Sequence, residues 1–291
     1  MIARRPDAAA QVALVGVGTI GSAIVGQLVA EMAVAVWDPS AAAMARAVAG
    51  GASAAAGLGE LAAAPVVLLA LPGPTQVRTA VGELLAATAR PTVIVDLSTV
   101  DPGTSIEMAA AADGVGVGYL DAPILGRPHR CGQWTLPVGG SADALDTARP
   151  VLSCLASRIV PVGGPGRGNV VKLLNNLMFG AINAITVETM AAAERLGLDP
   201  GLYATTLADS GAASVSGLFN ELAPKLVAGD VTPTFSIDLL AKDNRLALAM
   251  VEEAGLELEL AATVVRMNTA AQDAGLGALD TSAMIRTVTG R

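Results

Sequence analysis

The chain has little of what many metal and catalytic sites are built from. It holds two cysteines, Cys131 and Cys154, too few for a disulfide framework or a cysteine-rich metal site. Its single histidine, His129, excludes a histidine-based metal site and argues against a Ser-His-Asp triad. Aromatic residues are only 2% of the 291, which leaves Ala, Val, Leu, Ile and Met to fill the core. Charged residues are 15% and no polar tract occurs, a composition that excludes intrinsic disorder. Net charge is −8 and the pI is near 4.7, so a nucleic-acid backbone is not an expected partner. Small molecules and further copies of the chain are. No run of about 18 or more purely apolar residues is present, and no membrane span is expected. Arg4 and Arg5 precede an apolar stretch from Val12, as in a secretory leader. Asp7 and Gln11 interrupt that stretch and three ordered glycines punctuate it, so the expectation is a cytoplasmic protein. Lysine is also scarce: Lys172, Lys225 and Lys242 stand against fifteen arginines.

What is present is a large apolar fraction, 53%, on a chain long enough to bury a substantial core. In the first half, short apolar runs alternate with helical segments. Strands are predicted at Val12–Val17, Ala33–Trp37, Val66–Leu71, Thr92–Leu97 and Val115–Asp121. Helices are predicted at Ile20–Glu31, Ala41–Ala49, Gln76–Ala87 and Thr104–Ala112. That alternation predicts an α/β fold with a doubly wound parallel sheet covered on both faces. After Ile159–Val162 the run Gly163-Gly164-Pro165-Gly166-Arg167-Gly168 marks a boundary. Beyond it the pattern is helical: Asn169 to Leu196, a restart at Asp199-Pro200, then Ser236–Ala254, Glu257–Ala274 and Asp280–Thr287. The expected division is residues 1–164 as a nucleotide-binding Rossmann domain and 165–291 as an all-helical substrate and oligomerisation domain. No internal repeat is visible.

The segment Gly16-Val17-Gly18-Thr19-Ile20-Gly21 places G-x-G-x-x-G between the first strand and the first helix. The first glycine permits a tight turn, the second lets backbone N–H groups reach a pyrophosphate, and the third lets helix and strand approach. A bare glycine motif is weak evidence. This one follows a strand, opens a helix and has Asp38 about 20 residues later at the end of the second strand, which is the full dinucleotide context. Asp38 there would accept the adenosine ribose hydroxyls and repel a 2′-phosphate, favouring NAD over NADP. Two alternatives stand beside this: Asp38 as a helix cap, and Arg46 folding back to a 2′-phosphate.

A Rossmann fold does not name a reaction. The chemistry is sought in Gly163–Asn176, where Lys172 and Asn176 lie four apart and share a helix face. A lysine here can protonate a carbonyl oxygen as hydride arrives at its carbon, with the asparagine orienting the same oxygen. The alternative is a solvated helix lysine. In a chain that otherwise uses arginine, a retained lysine points to a position where a proton must be given up.

These residues carry a resemblance to the β-hydroxyacid dehydrogenase family, within the 6-phosphogluconate dehydrogenase superfamily, over nearly the whole chain. Besides the glycine motif, Asp96-Leu97-Ser98-Thr99-Val100-Asp101-Pro102 is similar to the family's D-x-S-T-x-x-P. Gly166–Asn176 is similar to its G-x-G-x-x-x-K-x-x-N-N. Phe235, Lys242-Asp243, Gly275, Gly277, Asp280 and Ser282 are similar to its C-terminal blocks. The resemblance implies a Rossmann domain followed by a helical domain, with an NAD(P) cofactor and a cleft active site. It implies hydride transfer between nicotinamide and a small hydroxy acid or semialdehyde. It implies Lys172 as general acid–base with Asn176 beside it, and cofactor contacts from Leu71, Pro72, Thr99 and Lys242 besides the glycine motif and Asp38. It places Leu125, Gly126, Arg127 and Asn175 at the substrate, and implies a homodimer or homotetramer.

One block departs. Where the family reads D-A-P-V-S-G-G, this chain reads Asp121-Ala122-Pro123-Ile124-Leu125-Gly126-Arg127. Leu125 replaces a serine that binds a carboxylate, giving a more apolar pocket, while Arg127, His129 or Arg130 offers a different anion partner or a solvated loop charge. Trp134 is read equally as a packing residue or a pocket wall. Lysine's reference pKa of about 10.4 is above the ideal for a base near neutrality, so oxidation is expected to be favoured at alkaline pH. Imine reduction and a non-catalytic nucleotide-binding role are the competing readings; the presence of Lys172 argues against both.

Overall fold

Short runs of aliphatic side chains become the strands of one eight-stranded sheet in the computed structural model, which describes residues 11–211 and 215–290. Arg4, Arg5 and Asp7, on which the leader reading turned, lie outside the described residues. The strands are β1 (Val12–Val15), β2 (Val34–Trp37), β3 (Ser53–Ala54), β4 (Val66–Leu69), β5 (Val93–Asp96), β6 (Gly118–Asp121), β7 (Trp134–Gly140) and β8 (Ala156–Gly163). Their order is β3-β2-β1-β4-β5-β6-β7-β8. The helices between them are α1 (Thr19–Leu28), α2 (Ala41–Ala49), α3 (Leu58–Leu61), α4 (Pro74–Ala86), α5 (Pro102–Asp113) and α6 (Ala142–Leu155). Every residue of β1, β4 and β5 is buried. Alternation along β1 explains this: Val12 and Leu14 enter one hydrophobic cluster, Ala13 and Val15 the other. Two covered faces are what a parallel sheet with crossover helices requires.

The chain divides into two compact units between Lys172 and Leu173. The sheet lies in the first. α7 (Arg167–Arg195) begins there and continues into the second, followed by α8 (Pro200–Ser210), α9 (Gly217–Ala228), α10 (Ile237–Glu253), α11 (Glu259–Asp273) and α12 (Ile285–Thr289). Serine and aspartate begin three of these helices: Asp199, Ser216 and Ser236 accept from the amides of Leu202, Phe219 and Leu239. The second unit's core includes Val187, Leu222, Ile237, Ala271 and Met284. Asp280 ties it together, accepting from the Thr234 amide at 2.8 Å and pairing with Lys225 at 3.1 Å. Burial pushes the Asp280 carboxyl up, but the Thr234 and Ser282 amides and the Lys225 ammonium outweigh it and hold the carboxyl at about 2. By length and mean hydropathy (1.4) α7 could cross a membrane. It also carries Asn169, Lys172, Asn175, Asn176 and Asn183.

The structure departs from the sequence expectations in several places. The sheet is not wholly parallel, because β6 and β7 run antiparallel. Neither β7 nor α6 is expected from the sequence: Pro137, Gly139 and Gly140 disguise the strand, and Pro150 sits inside the helix. The helix α9 is also unforeseen and also contains a proline, Pro224. The expected final helix Asp280–Thr287 is instead a 3₁₀ turn, Thr281–Met284, followed by α12. Several strands are shorter than expected; the first ends at Val15, since Gly16 already turns.

Candidate dinucleotide and catalytic site

The strand order reverses beside β1, where the crossover to β4 begins the second half of the sheet. Ligands of open parallel sheets bind at the carboxyl ends of strands at such a switch point. The residues predicted to hold the dinucleotide collect along that edge: the glycine turn follows β1, Asp38 follows β2, Leu71 and Pro72 follow β4, and Thr99 follows β5. Gly16 has φ +91°, and a side chain there would run into the Ala70 carbonyl. Gly18 differs: a side chain would meet nothing within 4 Å. No side chain caps α1 at Gly18, and uncapped first-turn amides suit an anion. Thr19 and Ile20 open the helix, and Gly21 packs against the Gly16 carbonyl.

Asp38 is held from both sides. One carboxylate oxygen accepts from the Val17 amide at 2.9 Å, the other from the Ser40 amide at 2.8 Å. Ser40, not Asp38, caps α2, by accepting from Ala43. The cap alternative therefore falls away. Next along the edge, the Leu71 amide donates to the Ser98 hydroxyl at 2.9 Å, and the Ser98 amide donates to Asp96 at 2.9 Å. The open space at Gly18, the uncapped amides and the fixed Asp38 carboxylate together suit a dinucleotide.

Asp96 and Asp121 face each other in register on β5 and β6, both without exposed surface. Burial pushes Asp96 up to about 6 against hydrogen bonds from Ser98 and Tyr119. Burial likewise lifts Asp121 to about 6, against the amides of Asn169 and Gly166. Both carboxyls bind a proton more tightly when folded than at their ordinary value of 3.8. The stabilisation from that difference is complete below 3.8 and is lost as pH rises through about 6. The urea midpoint is therefore expected to be higher at about pH 5.5 than at about pH 7.5, by about 1 kcal/mol of stability. Asp280, held at about 2, keeps its contribution in that window. A midpoint that falls on acidification over the same range would contradict the two burial shifts.

Beyond Asp121 the chain leaves the sheet as the loop that departs from the family pattern. Leu125 makes an isolated antiparallel bridge to Thr135, its amide donating at 3.0 Å and its carbonyl accepting at 3.2 Å. Gly126 has φ +153°, and a side chain there would stand 2.5 Å from the Trp134 ring. Trp134 is fully buried and its indole N–H donates to the Arg127 carbonyl at 2.8 Å, so it packs and anchors the loop. Arg127 is half-buried; the 3₁₀ turn Pro128–Arg130 after it exposes His129 and Arg130. Lys172 is half-buried, and its ammonium donates to the Ile124 carbonyl at 2.7 Å.

In the second unit Asn176 is buried and its amide donates to Asp243 at 2.5 Å. Asp243 also pairs with Lys242 at 2.8 Å, and Asn175 donates to the Asn176 carbonyl oxygen at 3.1 Å. One buried carboxylate thus joins a predicted catalytic residue to a predicted cofactor residue. Sequence reasoning assigned no role to Asp243, Asp121, Ser98 or Asn169. The available signal was an acidic or polar residue at the end of an apolar strand or on a buried helix face. Both cysteines are free, and burial pushes Cys131 up to about 11. Among the described residues no cluster of His, Cys, Asp or Glu could hold a metal ion.

Comparison with known proteins adds to this geometry. A family model described as the NAD binding domain of 6-phosphogluconate dehydrogenase matches residues 11–164, and one described as NAD-binding of NADP-dependent 3-hydroxyisobutyrate dehydrogenase matches 166–288. The chain belongs to the β-hydroxyacid dehydrogenase family. It is an NAD(P)-dependent oxidoreductase, as members of this family are. Its relatives include the 2-(hydroxymethyl)glutarate dehydrogenase of Eubacterium barkeri, 31% identical over 95% of this chain and 94% of that protein. They also include the 3-sulfolactaldehyde reductase of Escherichia coli, 31% identical over 96% of each. A crystal structure of 3-hydroxyisobutyrate dehydrogenase from Salmonella typhimurium is similar with a TM-score of 0.86 and 30% identity, covering 95% of this chain and 99% of that one. Imine reductases share the fold alone, at 21–22% identity.

Proposed function

We propose that this member of the family interconverts a short hydroxy acid and its semialdehyde, or a related alcohol and carbonyl, with Lys172 as general acid–base. The observation that carries the reading is the Lys172 ammonium bound to the Ile124 carbonyl, at the mouth of the Leu125–Arg127 loop. The dinucleotide is held by Gly16, Val17, Gly18, Thr19, Ile20 and Gly21, with Asp38 on the adenosine ribose, Leu71, Pro72 and Thr99 beside it, and Lys242 from the helical part. NAD is the preferred form. The bound nicotinamide supplies or accepts the hydride. Lys172 gives its proton to the carbonyl oxygen in reduction and takes the hydroxyl proton in oxidation, while Asn176 orients the reacting group. Residues 1–164 serve as the nucleotide domain and 165–291 as the helical domain, in a cytoplasmic homodimer or homotetramer. No nucleic acid or membrane partner belongs to this reading.

Leu125, Gly126, Arg127 and Asn175 contact the substrate. Leu125 has no side-chain group for a carboxylate, so Arg127 takes the substrate's anion. Two relatives support this: one acts on a dicarboxylic acid and the other on a sulfonate-bearing aldehyde, by their names. The test is oxidation of NADH and NADPH with semialdehydes, sulfonated aldehydes, 2-keto acids and uncharged aldehydes. Turnover should be greatest with an anionic aldehyde and NADH. Arg127→Ala should raise KM for that substrate about 10–100-fold with kcat little changed, the signature of lost uniform binding. Equal KM in the variant would remove Arg127 from the site. Imine turnover without carbonyl turnover would overturn the reaction class.

A further inference from the structure

Asp121 is a buried carboxylate that the reaction above does not use. It stands at the end of β6 with no exposed surface. One oxygen accepts from the Gly166 amide and the other from the Asn169 amide, each at 2.8 Å. The Asn169 amide lies in the first turn of α7 and the Gly166 amide just before it, where backbone donors have no partner within the helix and an anion is favoured. Gly166, immediately before α7, has no side chain with which to cap it. A carboxylate from a strand 45 residues earlier takes that place. The approach is close: a side chain on Gly168 would meet the Asp121 carbonyl at 2.5 Å and the Pro137 carbonyl at 2.6 Å. Three residues after Asp121, the Ile124 carbonyl accepts the Lys172 ammonium at 2.7 Å. The segment 121–124 therefore grips α7 twice, by its first-turn backbone and by the tip of its lysine.

We propose that Asp121 is a positioning residue for Lys172: by capping α7 from the end of β6, it sets where the lysine ammonium stands against the Ile124 carbonyl. The inference rests on Lys172 being the acid–base. Asp121's oxygens face backbone N–H donors, those of Gly166 and Asn169 with Gly168 beside them, so a group with an acceptor on each arm is needed. An asparagine would turn an N–H toward one of the two amides, and α7 would shift to relieve it. A displacement of this kind, well below a helical turn, is enough to impair proton transfer.

The experiment compares wild type, Asp121→Asn, Asp121→Ser, Lys172→Ala and the Asp121→Asn/Lys172→Ala double variant. It reads kcat, KM and NADH affinity by the fluorescence of bound nucleotide. Asp121→Asn and Asp121→Ser should lower kcat about 10–100-fold while KM and NADH affinity stay within about threefold. In the Lys172→Ala background, Asp121→Asn should change the residual rate less than about twofold, because a residue acting through the lysine has nothing left to position. Multiplying losses in the double variant would overturn the proposal. So would loss of NADH binding in step with kcat, or failure of both Asp121 variants to fold, which would assign the residue to the sheet. Lys172→Ala inactive beside a fully active Asp121→Asn would sink this inference alone. Turnover surviving in Lys172→Ala would sink the acid–base reading, and this one with it.

Discussion

Lys172→Ala is expected to reduce kcat for carbonyl reduction by about 10²–10⁴, the range for loss of a positioned general acid. NADH affinity should hold within about threefold, because the ammonium donates to the Ile124 carbonyl and its proposed role is at the reacting oxygen. The informative companion is Lys172→Arg. Arginine keeps the positive charge and can reach a carbonyl oxygen, but does not release a proton at any working pH. If Lys172 only stabilised negative charge on the substrate oxygen, arginine would restore much of the rate. If it transfers the proton, arginine should be nearly as inactive as alanine. Near wild-type turnover in the alanine variant would end the assignment. Strong rescue by arginine would convert it from acid–base to electrostatic stabiliser.

Asp38→Ala should weaken NADH binding about 10–100-fold, the scale of hydrogen bonds to a charged acceptor. Its carboxylate is not free to wander: the Val17 and Ser40 amides hold it at 2.9 Å and 2.8 Å. One of those amides belongs to the glycine turn itself, so the acid is registered to that turn. Removing it should leave NADPH affinity less affected, since a 2′-phosphate no longer meets a fixed negative charge. The preference ratio is the decisive quantity, measured by titration of both reduced nucleotides. If both weaken equally, Asp38 supports the turn and does not read the ribose. Arg46, on α2, is the residue whose replacement would then be examined for a 2′-phosphate contact.

Much of the nucleotide half was legible residue by residue. The apolar run Val66–Leu71, alternating with helical segments, was read as a strand, and Val66–Leu69 is one, buried on both faces. Asp199 marks a helix start that the structure confirms, whereas the caps Ser40 and Asp101 came only with the structure. Of the C-terminal helices, α7, α8, α10 and α11 were legible, while the last was expected as one helix over Asp280–Thr287 and is a 3₁₀ turn followed by α12. Residues 134–155 were not, because Pro137 and two glycines break the strand pattern of β7 and Pro150 breaks that of α6, while tertiary contacts override both. The same holds for Pro224 in α9.

The candidate site divides along the same line. Motif spacing marked out Gly16–Gly21, Asp38, Lys172 and Asn176, because each motif is a local pattern. The scarcity of lysine singled out Lys172 without any contact being known. Only the tertiary structure decided that Asp38 bonds the glycine turn and leaves the capping of α2 to Ser40. It alone decided that Trp134 anchors the loop after β6, that Asp243 joins Asn176 to Lys242, and that Asp121 caps a helix 45 residues away. Periodicity and capping are properties of neighbouring residues and can be read along the chain. Hydrogen bonds between a strand end and a distant helix start follow from strand order, which depends on how covered faces pack together.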